Sequence, residues 1–291
     1  MNIRSHWKMV TAISFAVIIF CFWNLLYPHV VVGQERLFVW DQEFWQEYGF
    51  FQYVRDFLTQ FFHYAWLGSL LLALGCFMLQ LLTWRLLSRF KNKKWTFVAS
   101  FIPALFVWYL LFVNFDVNNE ELSYDYLQRK GQWEQLIKMS QNRQPQSLAC
   151  RHVARMAMHQ MGSISDSEMF TDLALTNDAI NSRTAAYMMS DVYMYAGLVN
   201  MSQRASFEAM ASIEDFSMSG RALQRLTETA IVTGQYRIAE KYITILEKTV
   251  YYRDFARKMK QMVDTPSLID NHPVYGSLKR AYVNTKDVLF N

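Results

Sequence analysis

Residues 226–246 read LTETAIVTGQYRIAEKYITIL, and the glycine at 234 divides them. Leu226 and Ala230 precede it; Tyr236, Ala239, Tyr242 and Leu246 follow it. Spacings of three and four put each set on one face of a helix. A glycine between two such sets supplies the left-handed residue that ends one helix and turns the chain into the next. The stretch therefore reads as a helical hairpin, with small residues where its two helices touch.

Working outward, Gly131-Gln132-Trp133, Gly162-Ser163-Ile164 and Gly197-Leu198-Val199 repeat the punctuation. The glycines stand 31, 35 and 37 residues apart, on either side of the roughly 34 of a tetratricopeptide repeat. The copy at Gly197 has Tyr193 before it and Ser202, Ser206 and Ala209 after it, so serine stands twice where the pattern prefers alanine. One hairpin cannot bury its apolar face alone, whereas stacked hairpins share a continuous core. The fold class is therefore all-α, with a tetratricopeptide-like helical-repeat domain (an α-solenoid) over 118–263. Predicted helices run over 133–142, 147–161, 165–175, 183–196, 199–212, 220–233, 236–248 and 251–263. Ser165 and Glu168 make a capping box at one helix start. Beyond Pro266 and Pro273, an amphipathic helix over 275–288 is expected to cap the last repeat within a tail of residues 264–291. A non-repetitive helical bundle is the rival architecture.

Residues 1–117 belong to another environment. A hydrocarbon core of about 30 Å needs about 20 apolar helical residues, and the runs 10–26, 65–84 and 97–115 meet that demand, the last containing Pro103. Arg4 and Lys8 before the first run imitate a signal peptide, but Ile18, Ile19, Phe20 and Cys21 offer no small-residue cleavage site, so the run reads as an uncleaved anchor. The connection after the second run holds Arg85, Arg89, Lys91, Lys93 and Lys94 and no acid. The connection over 33–64 holds Glu35, Asp41, Glu43, Glu47 and Asp56 against Arg36 and Arg55. The positive-inside bias then expects a bacterial inner membrane protein with a cytoplasmic N-terminus and a periplasmic C-terminal domain.

The chain carries a net charge of +4, and much of that excess lies in the basic connection, which meets anionic lipid; no nucleic-acid patch is expected. Cys21 and Cys76 lie in spans and only Cys150 beyond them, so no disulfide framework is available. The connection over 33–64 is rich in aromatic residues, and Phe38, Trp40, Phe44, Trp45, Tyr48, Phe50 and Phe51 are candidates for the membrane interface, with Gly49 dividing two short helices.

Three phrases carry a resemblance: Leu58-Thr59-Gln60-Phe61-Phe62 before the second run, Ser190-Asp191-Val192-Tyr193, and Gly234-Gln235-Tyr236 through Ala239-Glu240-Lys241-Tyr242. With them most of the chain resembles an uncharacterised family of bacterial multi-spanning membrane proteins with a tetratricopeptide-like C-terminal region. Members have more spans than three, which makes this chain similar to a short form. The resemblance implies no activity.

Catalytic signatures are missing from the sequence. It has no GxxxxGK[ST] loop, GxSxG elbow or HExxH pair. His152 and His159 are seven residues apart on one predicted helix, about 10 Å, too far to share a metal without a third element. The expectation is a protein with no metal, no cofactor and no catalytic residues. What a repeat stack offers is a groove lined by the first helix of each pair, here His152, Met156, His159, Tyr187, Asp191, Met194, Tyr195, Arg221, Gln224 and Glu228. A noncatalytic membrane-anchored adapter binding a protein partner follows, with membrane lipid as its other partner. The alternative is an accessory subunit or remnant of a membrane enzyme handling lipid-linked glycans.

Overall fold

The computed structural model describes residues 3–40, 49–89, 93–170, 173, 177–213 and 218–285. Its regular elements are all helical, with no strand among the described residues. The chain divides into two compact units, one of residues 1–35 and 58–119, the other of residues 36–57 and 120–291.

The first unit contains three helical stretches long and apolar enough to cross a membrane, Trp7–Leu26, Ala65–Leu87 and Trp95–Asn114. The protein is thus membrane-embedded. Helix α1 (Ile3–Cys21) runs into a π-helical turn, Phe22–Leu26, and stops at Tyr27; α2 (Pro28–Gly33) begins on a proline, whose missing N–H costs nothing in a first turn. Helix α3 (Phe50–Thr59) belongs to the connection and leads through a 3-10 turn to α4 (Ala65–Leu87). The third span is two pieces, α5 (Lys93–Ala99) and α6 (Ile102–Asn114). Pro103 is the cause of the break, since it cannot donate back to the carbonyl one turn earlier. Gln80 of α4 donates to the hydroxyl of Ser100 at the break, at 3.0 Å, and Ser100 donates to the carbonyl of Phe97 at 2.6 Å. Both side chains are buried, and such bonds fasten helices where no water is at hand.

The second unit holds α7 (Glu120–Arg129), α8 (Trp133–Asn142), α9 (Leu148–Gln160), α10 (Asp166–Phe170), α11 (Arg183–Tyr195), α12 (Val199–Ala211), α13 (Gly220–Val232), α14 (Tyr236–Glu247), α15 (Arg253–Asp264), α16 (Ser267–Asp270) and α17 (Tyr275–Thr285). The glycine turns share one geometry. At Gly131, Gly162, Gly197 and Gly234, φ is 63°, 69°, 79° and 76°. In each turn the following residue donates to the carbonyl five positions back at 2.7 to 3.0 Å, and the glycine donates to the carbonyl three back at 2.9 to 3.2 Å. That pair of bonds satisfies the last carbonyls of a helix only if the glycine position is left-handed. At Gln132, Leu198 and Gln235 the backbone then repeats almost unchanged and the next helix starts at once. After Gly162 the start is delayed to α10, where Ser165 and Glu168 cap each other reciprocally at 2.8 and 3.4 Å.

The predicted helix ends of this unit fall within one or two residues of those found except at α10 and at α17, whose predicted residues 286–288 lie outside the described residues. Helix α10 ends at Phe170, and most of the predicted remainder to 175 lies outside the described residues. Helix α7 was not expected, because Leu122, Tyr124 and Leu127 are too few apolar positions to show a period; Tyr124 is nonetheless buried in the core. The serines of α12 also find a reason. Ser206 bonds Ser190 of α11 at 2.7 Å, and Ser202 donates to the Ser190 carbonyl at 2.8 Å. Serine keeps the close approach that alanine would give and adds a buried polar clasp.

Two cores fill the unit. The first gathers Tyr124, Leu136, Val153, Met156, Met188 and Tyr193 among others; the second gathers Leu223, Ile231, Ile243, Leu246, Met259 and Ile269. The second core also contains Leu37 and Val39, from the connection between the first two spans. The Leu37 N–H donates to the Met218 carbonyl at 3.2 Å and the Trp40 N–H to the Lys248 carbonyl at 3.0 Å. Residues 36–40 are therefore an extended strap on the helical unit. Extended chain alternates sides, and Phe38, opposite Leu37 and Val39, is covered by the rings of Tyr53 and Phe57 at 4.9 and 5.3 Å. Only 4% of Phe38 is exposed, so its ring is shielded by these neighbours.

Alanine at Gly197 or Gly234 forces a Cβ into the left-handed region, and each substitution is expected to cost about 1–2 kcal/mol. The check is a lowered thermal unfolding midpoint of the detergent-solubilised chain; unchanged midpoints would remove the turns from their structural role.

Candidate functional site

Tyr187, Asp191 and Tyr195 recur every four residues along α11, and Arg221, Arg225 and Glu228 at four and three along α13. Each set shares one helix face, and the two faces meet. Arg221 places one nitrogen 2.5 Å from Asp125 of α7 and another 2.6 Å from Asp191. Arg225 takes the other Asp191 oxygen at 2.6 Å and reaches Glu228 at 2.6 Å. Gln128 of α7 donates to Asp191 at 3.2 Å, and the Tyr275 hydroxyl of α17 donates to Glu228 at 3.0 Å. The Arg221 guanidinium also lies 4.8 Å from the centre of the Tyr187 ring.

The five charged side chains keep only 9% to 24% of their exposure, so they have lost most of their water and hold one another in its place. Burial works against the Asp191 carboxylate, but Arg221 and Arg225, each also hydrogen-bonded to it, outweigh burial and hold it below its ordinary 3.8. For Arg221, burial disfavours the cation, and Asp125 and Asp191 more than reverse this. Burial and then Glu228 push the Tyr275 phenol up, keeping it a donor.

A second polar group lies one turn further along α11. The hydroxyl of Tyr195 meets Nδ1 of His159 at 2.5 Å, and Nε2 of the same ring meets Asp166 at 2.6 Å. Burial and then Asp166 push the Tyr195 phenol up, and the imidazole links it to Asp166 through its two ring nitrogens. An upward shift is the wrong direction for a nucleophile, and the trio acts as a tether between α9, α10 and α11.

The structure thus brings together Tyr187, Asp191, Arg221 and Glu228 of the expected groove, and separately His159 with Tyr195. Gln224 is partly exposed on α13. Met156 belongs to the first core, and Met194 is buried in a small cluster with Val199 and Val232. His152 is buried and lines a cleft of about 380 Å3 beside Ser140, Gln141, Arg151 and Arg155. Sequence reasoning missed Asp125, Gln128, Arg225 and Tyr275. Arg225 was findable four residues after Arg221; Asp125 and Tyr275 join from distant parts of the chain with no local signal. Of the aromatic connection, Trp40, Phe50 and Phe51 are exposed, at 69%, 61% and 89%; Phe44, Trp45 and Tyr48 lie outside the described residues. Cys150 is fully buried, and burial, with Glu120 and Glu121, pushes its thiol up. Among the described residues no three His, Cys, Asp or Glu side chains gather as a metal-binding group.

Removing one partner from a buried ion network leaves the others uncompensated, so Arg221→Ala is expected to destabilise the helical unit by about 3–5 kcal/mol, read from chemical denaturation. Asp191 has a depressed folded-state pKa, so its contribution is complete above the ordinary 3.8 and is lost as pH falls through the lower folded value. An acid unfolding profile that Asp191→Asn leaves unchanged would contradict this.

The sequence model of a family described as a family of unknown function (DUF6057) matches residues 5–119 and 111–291. No curated protein and no solved structure matches the chain. Covered along nearly its whole length in these two segments, the chain belongs to the DUF6057 family.

Proposed function

We propose that the protein is a noncatalytic, membrane-anchored adapter whose tetratricopeptide-like helical unit binds a protein partner on the non-cytoplasmic side of a bacterial inner membrane. The observation that carries this reading is the common face of α11 and α13, where an ion network fixes two successive first helices side by side. Charged fasteners of this kind hold a surface in shape, which lowers the ordering cost of binding. The residues left to meet a partner are then Gln224, Tyr195 and the exposed edge of Tyr187, while Arg221 and Asp191 serve the fold.

Sidedness has support beyond the basic connection. Residues 36–57 and 120–291 form one compact unit, so both lie on one side of the membrane. That demands an even number of crossings between them, and the second and third spans supply two. Positive-inside bias makes that side the outer one. Buried Cys150 is a poor topology reporter. A chain carrying Cys150→Ala and Ser163→Cys, the latter at an exposed turn, is expected to react with an impermeant maleimide when the outer face of the inner membrane is accessible. Reaction only after that membrane is opened would reverse the orientation. For the partner, Gln224→Arg should abolish co-purification and leave the thermal midpoint in place; retained co-purification would refute the assignment of this face.

Exposure of Trp40, Phe50 and Phe51 favours a second contact, with lipid. Headgroup-brominated lipid should quench tryptophan emission less in a Trp40→Phe chain than in the parent, and equal quenching would remove Trp40 from the membrane surface.

A further inference from the structure

The face shared by α11 and α13 already carries a helix. Tyr275, Leu278 and Tyr282 of α17, at i, i+3 and i+7, share one side of that helix. All three pack over Met194 of α11, Val199 of α12 and Val232 of α13. This small apolar cluster is separate from both main cores, and its members are 5%, 0% and 1% exposed. The polar end of the seat is Glu228, which receives the Tyr275 hydroxyl at 3.0 Å.

Besides the Tyr275 bond to Glu228, α17 is held by a 3.4 Å bond from Lys279 to the Tyr236 hydroxyl of α14, by Tyr275 against the second core, and by bonds to the residues just before it. His272 accepts the N–H groups of Val274 and Tyr275 at its Nδ1, at 3.3 and 3.2 Å, and its ring stacks on that of Tyr275 at 4.4 Å. Lys279 bonds Asp270 at 2.8 Å. Gly276 lets the first turn lie against α16, where an added Cβ would run into the Asp270 carbonyl. The helix has 11 residues, and among its described side chains Tyr275, Leu278 and Tyr282 supply the apolar contacts set against the entropy of ordering it. A helix so short does not persist alone in water. It is therefore formed by its seat, and a competing helix that fits the seat replaces it.

We propose that Met194, Val199, Val232 and Glu228 form a helix-docking seat whose in-chain occupant, α17, is exchanged for a partner helix. That helix presents an aromatic, an aliphatic and an aromatic side chain at the same spacing, the first carrying a hydroxyl for Glu228. The identity of the occupant as a partner protein rests on the adapter reading; the seat itself does not.

Amide hydrogen exchange on the full, unaltered chain in detergent gives the first test. Amides of α17 are expected to exchange at least about a hundredfold faster than those of α13, as a separately opening segment does. Exchange of both helices at one rate would overturn the proposal, because a seat that opens only with the whole unit accepts no replacement. The second test adds a fluorescent peptide of residues 273–285 to the full chain carrying Gly276→Ala. Binding is expected to be at least about tenfold tighter than to the unaltered chain, since the competing helix is loosened, and a peptide with Leu278→Ala and Tyr282→Ala is expected not to bind. Should Gly276→Ala fail to fold, Tyr275→Phe removes only the hydroxyl bond to Glu228 and serves as the loosened chain. Absence of peptide binding to a folded loosened chain refutes the seat. A loosened chain that dimerises, and that the peptide returns to monomer, makes the occupant α17 of a second copy and refutes the partner helix. Peptide binding alongside retained partner in the Gln224→Arg chain refutes the adapter face while leaving the seat standing.

Discussion

The Asp191 carboxylate is the point on which the helical unit turns. It accepts from Arg221, Arg225 and Gln128 at once, and so binds α7, α11 and α13 in one contact. Three carboxylates face two guanidiniums in the network, and the geometry succeeds because the acceptors are divided between the two cations. A buried network of this kind adds little net stability over a well-packed apolar one, but breaking it is costly. Its effect is to fix which faces meet. The relative rotation of α11 and α13 follows, and with it the position of Met194 and Val232 under α17.

A second constraint comes from the strap. Leu37 and Val39 lie in the core built by α13, α14 and α15, so the connection between the first two spans and the region after the third are parts of one folded body. Such a body cannot be completed until all three spans have been made. Burial of the two side chains is worth roughly 1.5–3 kcal/mol each, comparable to a sizeable fraction of an ordinary domain's stability. In the same connection Phe38 lies against Tyr53 and Phe57 while Trp40 remains exposed.

One helical face thus combines two kinds of surface. The ion network is rigid and specific; the apolar cluster is small and covered by a short terminal helix. Glu228 belongs to both, bonded to Arg225 in the network and to the Tyr275 hydroxyl of the covering helix.

Much of the architecture was legible in the sequence. The four glycines disclosed the turns because only a left-handed residue closes the pair of bonds that ends each helix, and that requirement is local. The spans were visible for the same reason, since hydrocarbon demands an apolar helix of fixed length whatever surrounds it. Helical spacing put Tyr187 with Asp191 on one helix face and Arg221 with Glu228 on another, and the expectation of stacked repeats set the two faces side by side. What spacing could not say is whether those charges point at a partner or at each other. That depended on Asp125 lying 96 positions before Arg221 and on Tyr275 returning from the far end of the chain. The docking of the strap and the covering of Met194 by α17 were likewise decided by tertiary structure, because a side chain's periodicity reports that it is buried and not what buries it.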